Sequence, residues 1–107
     1  DGISFLAKKL EKGEKGDLLR LGDNLKGKEK DYFFFFAAKG EKGVSLLIQA
    51  GGEGAKKLPA GKAMKQVAPI LGGNGGGKDE MASGSGKSLE GFDQAASLLK
   101  GQLQGKE

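Results

Sequence analysis

The sequence contains no cysteine, no histidine and no tryptophan. Without cysteine and histidine, the chain can form no disulfide, thiol nucleophile, Cys/His zinc site or Ser-His-Asp triad. No apolar run approaches the ~18 residues needed to cross a bilayer, and the first ten residues do not resemble a signal peptide. Because the sequence starts at Asp1 instead of Met, we expect a piece of a longer protein. We identify no catalytic constellation and predict no cofactor.

Arginine is nearly absent, although the chain is basic. Arg20 is the single arginine among 18 basic residues, and the net charge is +4. Arginine is favoured for bidentate reading of guanine edges, so a nucleic acid would be held here through phosphate and shape. Five lysines and no acid lie between Gly54 and Lys78. This stretch is either an ordinary solvated helix face or a stripe of lysines that faces phosphates.

Glycine, in contrast, is abundant, with 21 residues and no G-X-Y period. The densest cluster is the segment 72–86, GGNGGGKDEMASGSG. A flexible linker would contain glycine and serine with little else, whereas this segment also holds Asn74, Lys78, Asp79 and Met81. We therefore predict a glycine-rich loop over residues 72–86, between two helices, where the backbone approaches another group closely.

Apolar periodicity predicts one α/β domain over residues 1–107, with a small mixed sheet of three to five strands covered by helices. The N-terminal half is predicted as a strand at Ile3–Leu10, a helix capped by Asp17, a strand at Asp31–Ala38, a tight connection at Lys39–Gly43 and a strand at Val44–Ala50. The C-terminal half is predicted as a loop at Gly51–Lys57, a helix from Ala60 to Leu71, the glycine-rich loop, and a helix capped by Ser88 with the stripe Leu89, Phe92, Ala96, Leu99 and Leu103.

Four consecutive phenylalanines, Phe33 to Phe36, give the strongest strand pattern. Side chains alternate between the two faces of a strand, so two rings should point to each side. Because both faces must then be covered, we predict a central strand with helices on each side. The alternative is an aromatic platform on which bases stack.

Two near matches to the phosphate-binding P-loop occur in the glycine-rich segment. Gly84–Ser88 reads GSGKS, but Met81 stands where the first glycine belongs. Gly72–Lys78 has the required spacing, but Asp79 follows the lysine and offers no hydroxyl for Mg²⁺. We reject nucleotide hydrolysis on these grounds. Asp79 and Glu80 are adjacent carboxylates without a third nearby ligand, so we predict no metal site.

The segment 63–86, AMKQVAPILGGNGGGKDEMASGSG, resembles the C-Ala domain at the C-terminus of alanyl-tRNA synthetases, within the DHH-associated domain superfamily. Members of that family show a helix ending in G-G-x-G-G-G, a basic residue and then a segment of small residues. Lys78 takes the basic position, and Met81 and Ala82 match the segment that follows. Lys78, Asp79 and Ser83 stand where arginine, proline and glutamine are frequent.

The resemblance implies a noncatalytic module of an alanine–tRNA ligase, which contacts the elbow of tRNA, tRNA-Ala in particular, and supports aminoacylation and editing. It implies the rest of the synthetase as a further partner, and a location in the cytoplasm or alternatively the mitochondrion. Together with the lysine pattern it gives these candidate nucleic-acid-binding residues: Lys62, Lys65, Gly73, Asn74, Gly75, Gly76, Gly77, Lys78 and Lys87.

Two alternatives remain open. The same superfamily includes the accessory domain of DHH phosphoesterases, which bind short single-stranded nucleic acids or dinucleotides. A C-Ala-type domain could also be repurposed for DNA or protein binding.

Overall fold

The computed structural model describes residues 3–27, 30–41 and 43–103. It contains five strands, β1 (Ser4–Leu10), β2 (Tyr32–Gly40), β3 (Gly43–Gly51), β4 (Gly75–Gly77) and β5 (Met81–Gly86). The helices are α1 (Lys15–Lys26), α2 (Glu53–Lys57), α3 (Ala60–Val67) and α4 (Phe92–Leu103), with a 3-10 helix over Ala68–Leu71. No helix in the described ranges is long and apolar enough to span a membrane.

The strands form one mixed sheet in the order β1-β2-β3-β5-β4. β1 runs parallel to β2, and the other neighbouring pairs are antiparallel. β2 and β3 form a hairpin whose last pair is Gly40 and Gly43, so the predicted tight connection at Lys39–Gly43 is confirmed. Residue 42, within this connection, lies outside the described part of the chain. The predicted fold class, a small mixed sheet of three to five strands covered by helices, is confirmed.

The phenylalanine strand is central and covered on both faces, as predicted. Phe33 and Phe35 join the larger core beneath α2, α3 and α4, where the Phe35 ring stacks on Phe92 at 4.8 Å between centroids. Phe34 and Phe36 pack with Leu18 of α1 on the opposite face. These four rings are at most 2% exposed, so the alternative of a base-stacking platform is wrong.

Helix α1 starts earlier than predicted. Its N-cap is Glu14, and Asp17 lies at the third helical position, where its Oδ2 accepts a hydrogen bond from the Glu14 backbone N–H at 2.9 Å. The prediction of Asp17 as the N-cap is therefore wrong, because its carboxylate completes a capping box from inside the first turn. Leu18 is buried, while Leu21 and Leu25 pack at the edge of the core.

The predicted loop at Gly51–Lys57 is wrong, because α2 occupies most of it. The Glu53 N–H at the start of this helix donates to Oδ1 of Asp31 at 2.8 Å. Gly54 is buried against the main chain of Tyr32, where a Cβ would overlap the carbonyl oxygen. Tertiary contact thus overrides the poor helix propensity of glycine.

The two remaining helices differ from prediction at their ends. The helix that begins at Ala60 changes to 3-10 geometry at Ala68, because Pro69 has no N–H for an α-helical bond. Ser88 is not the N-cap of α4, which starts at Phe92. Instead, its Oγ accepts a hydrogen bond from the Glu90 N–H at 3.0 Å in the preceding turn.

Candidate nucleic-acid interface

The glycine-rich segment 72–86 folds as two strands, β4 and β5, at one edge of the sheet. The Lys78 N–H donates to the Met81 carbonyl at 2.8 Å, and the Ser85 N–H donates to the Asn74 carbonyl at 2.9 Å. The prediction of a loop here is wrong in conformation. A strand of three glycines has no side chains to alternate, so periodicity cannot reveal it.

The close backbone approach predicted for the glycines is real, but its partner is largely the protein itself. A Cβ on Gly75 would lie 2.6 Å from the Gly84 Cα and 2.8 Å from the Met64 Cγ. A Cβ on Gly73 would overlap the carbonyl oxygen of Ser85. These glycines allow α3 to pack directly on the backbone of β4 and β5.

Gly76 is different from its neighbours. In the described part of the chain, a Cβ there would meet only the Cε of Lys65, at 3.5 Å, and no backbone atom. Gly76 pairs with Ser83, which pairs in turn with Leu47 on β3, and Leu47 faces α1. Gly76 and Ser83 therefore lie on the opposite sheet face from α3. Both are half-buried, and Asn74 beside them is exposed.

Three predicted lysines surround these strands. Lys65 extends from α3 along β4 to Gly76, and Lys78 is exposed at the end of β4. The Cβ of Lys87 lies 3.3 Å from the Cβ position of Gly72, a left-handed residue with φ of +87° that ends the 3-10 helix. Lys62 lies three residues before Lys65 on the exposed face of α3.

The exposed ends of these lysines are available to a ligand. Within the described ranges, none of Lys62, Lys65, Lys78 and Lys87 forms an ion pair with a carboxylate. Ammonium groups without an ion-pair partner can contact phosphate, and the carboxylates of Asp79 and Glu80 directly after Lys78 reduce the local positive charge.

The backbone of Lys78 is fixed by the start of α3. The carbonyl oxygens of Lys78 and Asp79 accept hydrogen bonds at 2.8 Å from the N–H groups of Gly61 and Ala60. These bonds satisfy donors that would otherwise be unpaired in the first turn of the helix. The β4–β5 turn and α3 therefore hold one another in position.

Lys56 was not among the predicted residues but lies beside one of them. It lines a cavity of 690 Å³ together with Gly52, Ala55, Lys78, Asp79 and Glu80, so it shares this cavity with the predicted residue Lys78. It also pairs with Glu53 at 3.5 Å. Its position in the acid-free stretch Gly54–Lys78 was the sequence feature that could have identified it.

Comparisons with known proteins agree on one family. The family model described as the DHHA1 domain matches residues 2–105. The chain is 35% identical over 108 residues to alanine–tRNA ligase 1 of Lachnoclostridium phytofermentans, covering 96% of this chain and 12% of that protein. It is 40% identical over 80 residues to the alanine–tRNA ligase of Lactobacillus helveticus, covering 74% of this chain and 9% of that protein.

Among solved structures, the chain is similar to the C-Ala domain from Aquifex aeolicus alanyl-tRNA synthetase. The TM-score is 0.78 at 28% identity, over 94% of this chain and 89% of that domain. The chain thus spans nearly all of a C-Ala domain but only about a tenth of the length of the ligases it matches. With the family model matching almost from end to end, this chain belongs to the DHHA1 domain family.

Proposed function

We propose that this chain is a noncatalytic tRNA-binding domain of an alanine–tRNA ligase. In this role it contacts the elbow of tRNA, tRNA-Ala in particular, and supports aminoacylation and editing by the rest of the synthetase. As part of such an enzyme it works in the cytoplasm or the mitochondrion. The names of the relatives support the parent enzyme, and the resemblance to C-Ala domains supports the tRNA contact.

The observation that carries this proposal is the arrangement of lysines around the β4–β5 edge. Lys65, Lys78 and Lys87 lie beside glycines whose small size keeps the surface flat. Lysines in this arrangement contact phosphates on either side of a surface on which an exposed base pair can rest. Arg20, the single arginine, lies in α1, so recognition by shape suits this edge better than reading of base edges.

Charge reversal at Lys78 tests the proposal. Lys78→Glu should weaken binding of tRNA-Ala by about tenfold at 100 mM salt, because one phosphate contact becomes a repulsion. Lys12→Glu is the matched control, since Lys12 is exposed beyond β1, at the opposite edge of the sheet. It alters the net charge equally and should leave the affinity nearly unchanged. Equal tRNA affinity of Lys78→Glu and the wild type would refute the proposal.

A competition experiment separates tRNA from the alternative of DNA binding. Labelled tRNA bound to the domain is displaced by unlabelled tRNA or by duplex DNA of matched length. Displacement by tRNA at lower concentration is expected, and preference for the duplex would support a repurposed domain instead.

The sequence preceding this chain in its gene gives a further test. An editing domain there supports the synthetase, whereas a DHH motif supports the phosphoesterase alternative.

A further inference from the structure

Asn74 is followed by Gly75 in the middle of the β4–β5 edge. The asparagine is exposed and lies directly before β4. Asparagine side chains are chemically labile, because the next backbone nitrogen can attack the Cγ atom and close a five-membered ring. A glycine in the following position hinders this attack least, since it has no Cβ. The two residues therefore have the composition of a site at which asparagine converts to aspartate without an enzyme.

The attacking nitrogen, that of Gly75, is not held in the β4–β5 ladder. The Ser85 N–H donates to the Asn74 carbonyl at 2.9 Å, and the Lys78 N–H donates across the same ladder at 2.8 Å. Residues that face the partner strand alternate along an antiparallel pair, so Gly75 faces away from β5. Among the described residues its N–H has no hydrogen-bond partner. No bond within the fold must break before this nitrogen reacts.

The other asparagine of the chain provides an internal comparison. Asn24 is also exposed, but it lies inside α1 and precedes Leu25. The Leu25 side chain hinders the attack, and helical geometry bonds its N–H to the carbonyl four residues earlier. Of the two asparagines, only Asn74 combines exposure, a following glycine and an unbonded backbone nitrogen.

The reaction at Asn74 needs water and no other reactant. The Gly75 nitrogen, after losing its proton to solvent, forms a bond to the Asn74 Cγ. The Cγ–Nδ2 bond then breaks, and ammonia leaves with a proton returned from solvent. Water opens the resulting succinimide at Cγ to give aspartate, or at the main-chain carbonyl to give isoaspartate. Both products replace a neutral amide by a carboxylate.

A carboxylate at position 74 would lie among the lysines of the β4–β5 edge. Gly72, which packs against Lys87, lies two residues before it, and Gly76, beside Lys65, lies two residues after it. Each contact is therefore at most about 7 Å away along the backbone, less than the Debye length of about 8 Å. The new charge attracts ammonium groups that otherwise contact phosphate, and it repels the phosphates themselves.

We propose that Asn74 is a spontaneous deamidation site, and that its conversion to a carboxylate weakens the hold of the β4–β5 edge on RNA phosphate. The inference deepens the proposed tRNA contact, and the loss of affinity rests on that contact. The deamidation itself does not, because it follows from the Asn74–Gly75 peptide and its exposure.

Peptide mapping by mass spectrometry tests the chemistry. The chain is kept in mildly alkaline buffer at physiological temperature, and samples are digested at intervals. The peptide containing Asn74 should gain the mass difference between a hydroxyl and an amino group, whereas the peptide containing Asn24 should not. A free peptide of sequence 71–78 gives the rate without the fold. An Asn74 that stays intact after the free peptide has reacted, or that reacts no faster than Asn24, would overturn the inference.

The effect on binding is measured with fresh and aged protein. Asn74→Asp should bind tRNA about threefold more weakly than the fresh wild type, because it makes half the charge change of Lys78→Glu. The aged wild type should lose affinity in the same direction. Asn74→Gln must close a six-membered ring and reacts far more slowly, so its own affinity should not change with age. Unchanged affinity of Asn74→Asp, or an equal decline in aged Asn74→Gln, would overturn the inference.

The Lys78→Glu measurement separates this inference from the proposed function. If Lys78→Glu binds tRNA weakly while Asn74→Asp binds as the wild type does, only the inference about Asn74 fails. If both variants bind tRNA as the wild type does, the proposed function itself fails.

Discussion

Gly61 of α3 lies against Gly77 of β4 so closely that a Cβ on Gly61 would overlap the Gly77 carbonyl oxygen. The Gly61 N–H also donates to the neighbouring carbonyl of Lys78 at 2.8 Å. This contact between two backbones sets the distance between the lysines of α3 and the edge strand.

Gly61→Ala should therefore destabilise the domain. The methyl group meets backbone, which cannot rotate away, so we expect a loss of about 1–3 kcal/mol in the free energy of unfolding, measured in urea. Gly101→Ala is the control, because Gly101 lies in α4 with no atom within 4 Å of its Cβ position among the described residues. There alanine should stabilise the domain by about 0.5–1 kcal/mol. Equal effects of the two substitutions would show that Gly61 is not in close contact.

The salt dependence of tRNA binding should report how many lysines contact phosphates at the interface. Lys65→Gln and Lys87→Gln should each reduce the magnitude of the slope of log K against log salt by about one. The reason is that tRNA binding to either variant releases one fewer counterion from the RNA. The slope is measured from affinities at several salt concentrations. Lys12→Gln, beyond the far edge strand, should leave the slope unchanged. A slope that is equally insensitive to all three substitutions would place the bound RNA elsewhere.

The phenylalanine strand shows what the sequence can predict. Alternation along Phe33–Phe36 was sufficient to infer a strand covered on both faces, because four large rings cannot be left in water. The lysines around the glycine cluster were also identifiable, since charge runs are visible in one dimension.

Contacts that depend on the absence of a side chain, as at glycine, were not predictable from the sequence. β4 is a strand because α3 and β5 approach its bare backbone. The three glycines Gly75–Gly77 have no side chains whose alternation could reveal this strand in the sequence. Gly22 in α1 makes room for Gln49 on a strand 27 positions later, and helix propensity alone does not reveal this role. Such pairs depend on three-dimensional proximity, which sequence spacing does not contain.

Gln49→Leu should fold at least as stably as the wild type. Leucine fills similar space and removes a buried oxygen that has no hydrogen-bond partner among the described residues, so we expect the free energy of unfolding to rise by about 1 kcal/mol. Gln94→Leu, at an exposed position of α4, should change it by less than about 0.5 kcal/mol. A marked loss of stability in Gln49→Leu, seen by urea denaturation, would mean that the amide is already bonded within the fold.

Helices α3 and α4 are joined by a reciprocal pair of amides. The Gln102 Nε2 donates to the Gln66 Oε1 at 2.6 Å, and the Gln66 Nε2 donates to the Gln102 Oε1 at 3.3 Å. Both side chains are partly buried, so each substitution alone leaves a partner without its hydrogen bonds.

A double-mutant cycle on this pair should give a coupling energy of about 1 kcal/mol. Gln66→Ala, Gln102→Ala and the double variant are compared by urea denaturation. The double variant should be less destabilised than the sum of the single ones. A parallel cycle pairs Gln66 with Gln94, an exposed residue about two turns before Gln102 in α4. The effects of these two substitutions should be additive within about 0.5 kcal/mol. Additivity in both cycles would mean that the amides do not hold α4 against α3, and that the apolar contacts of Phe92 and Leu99 alone fix its position.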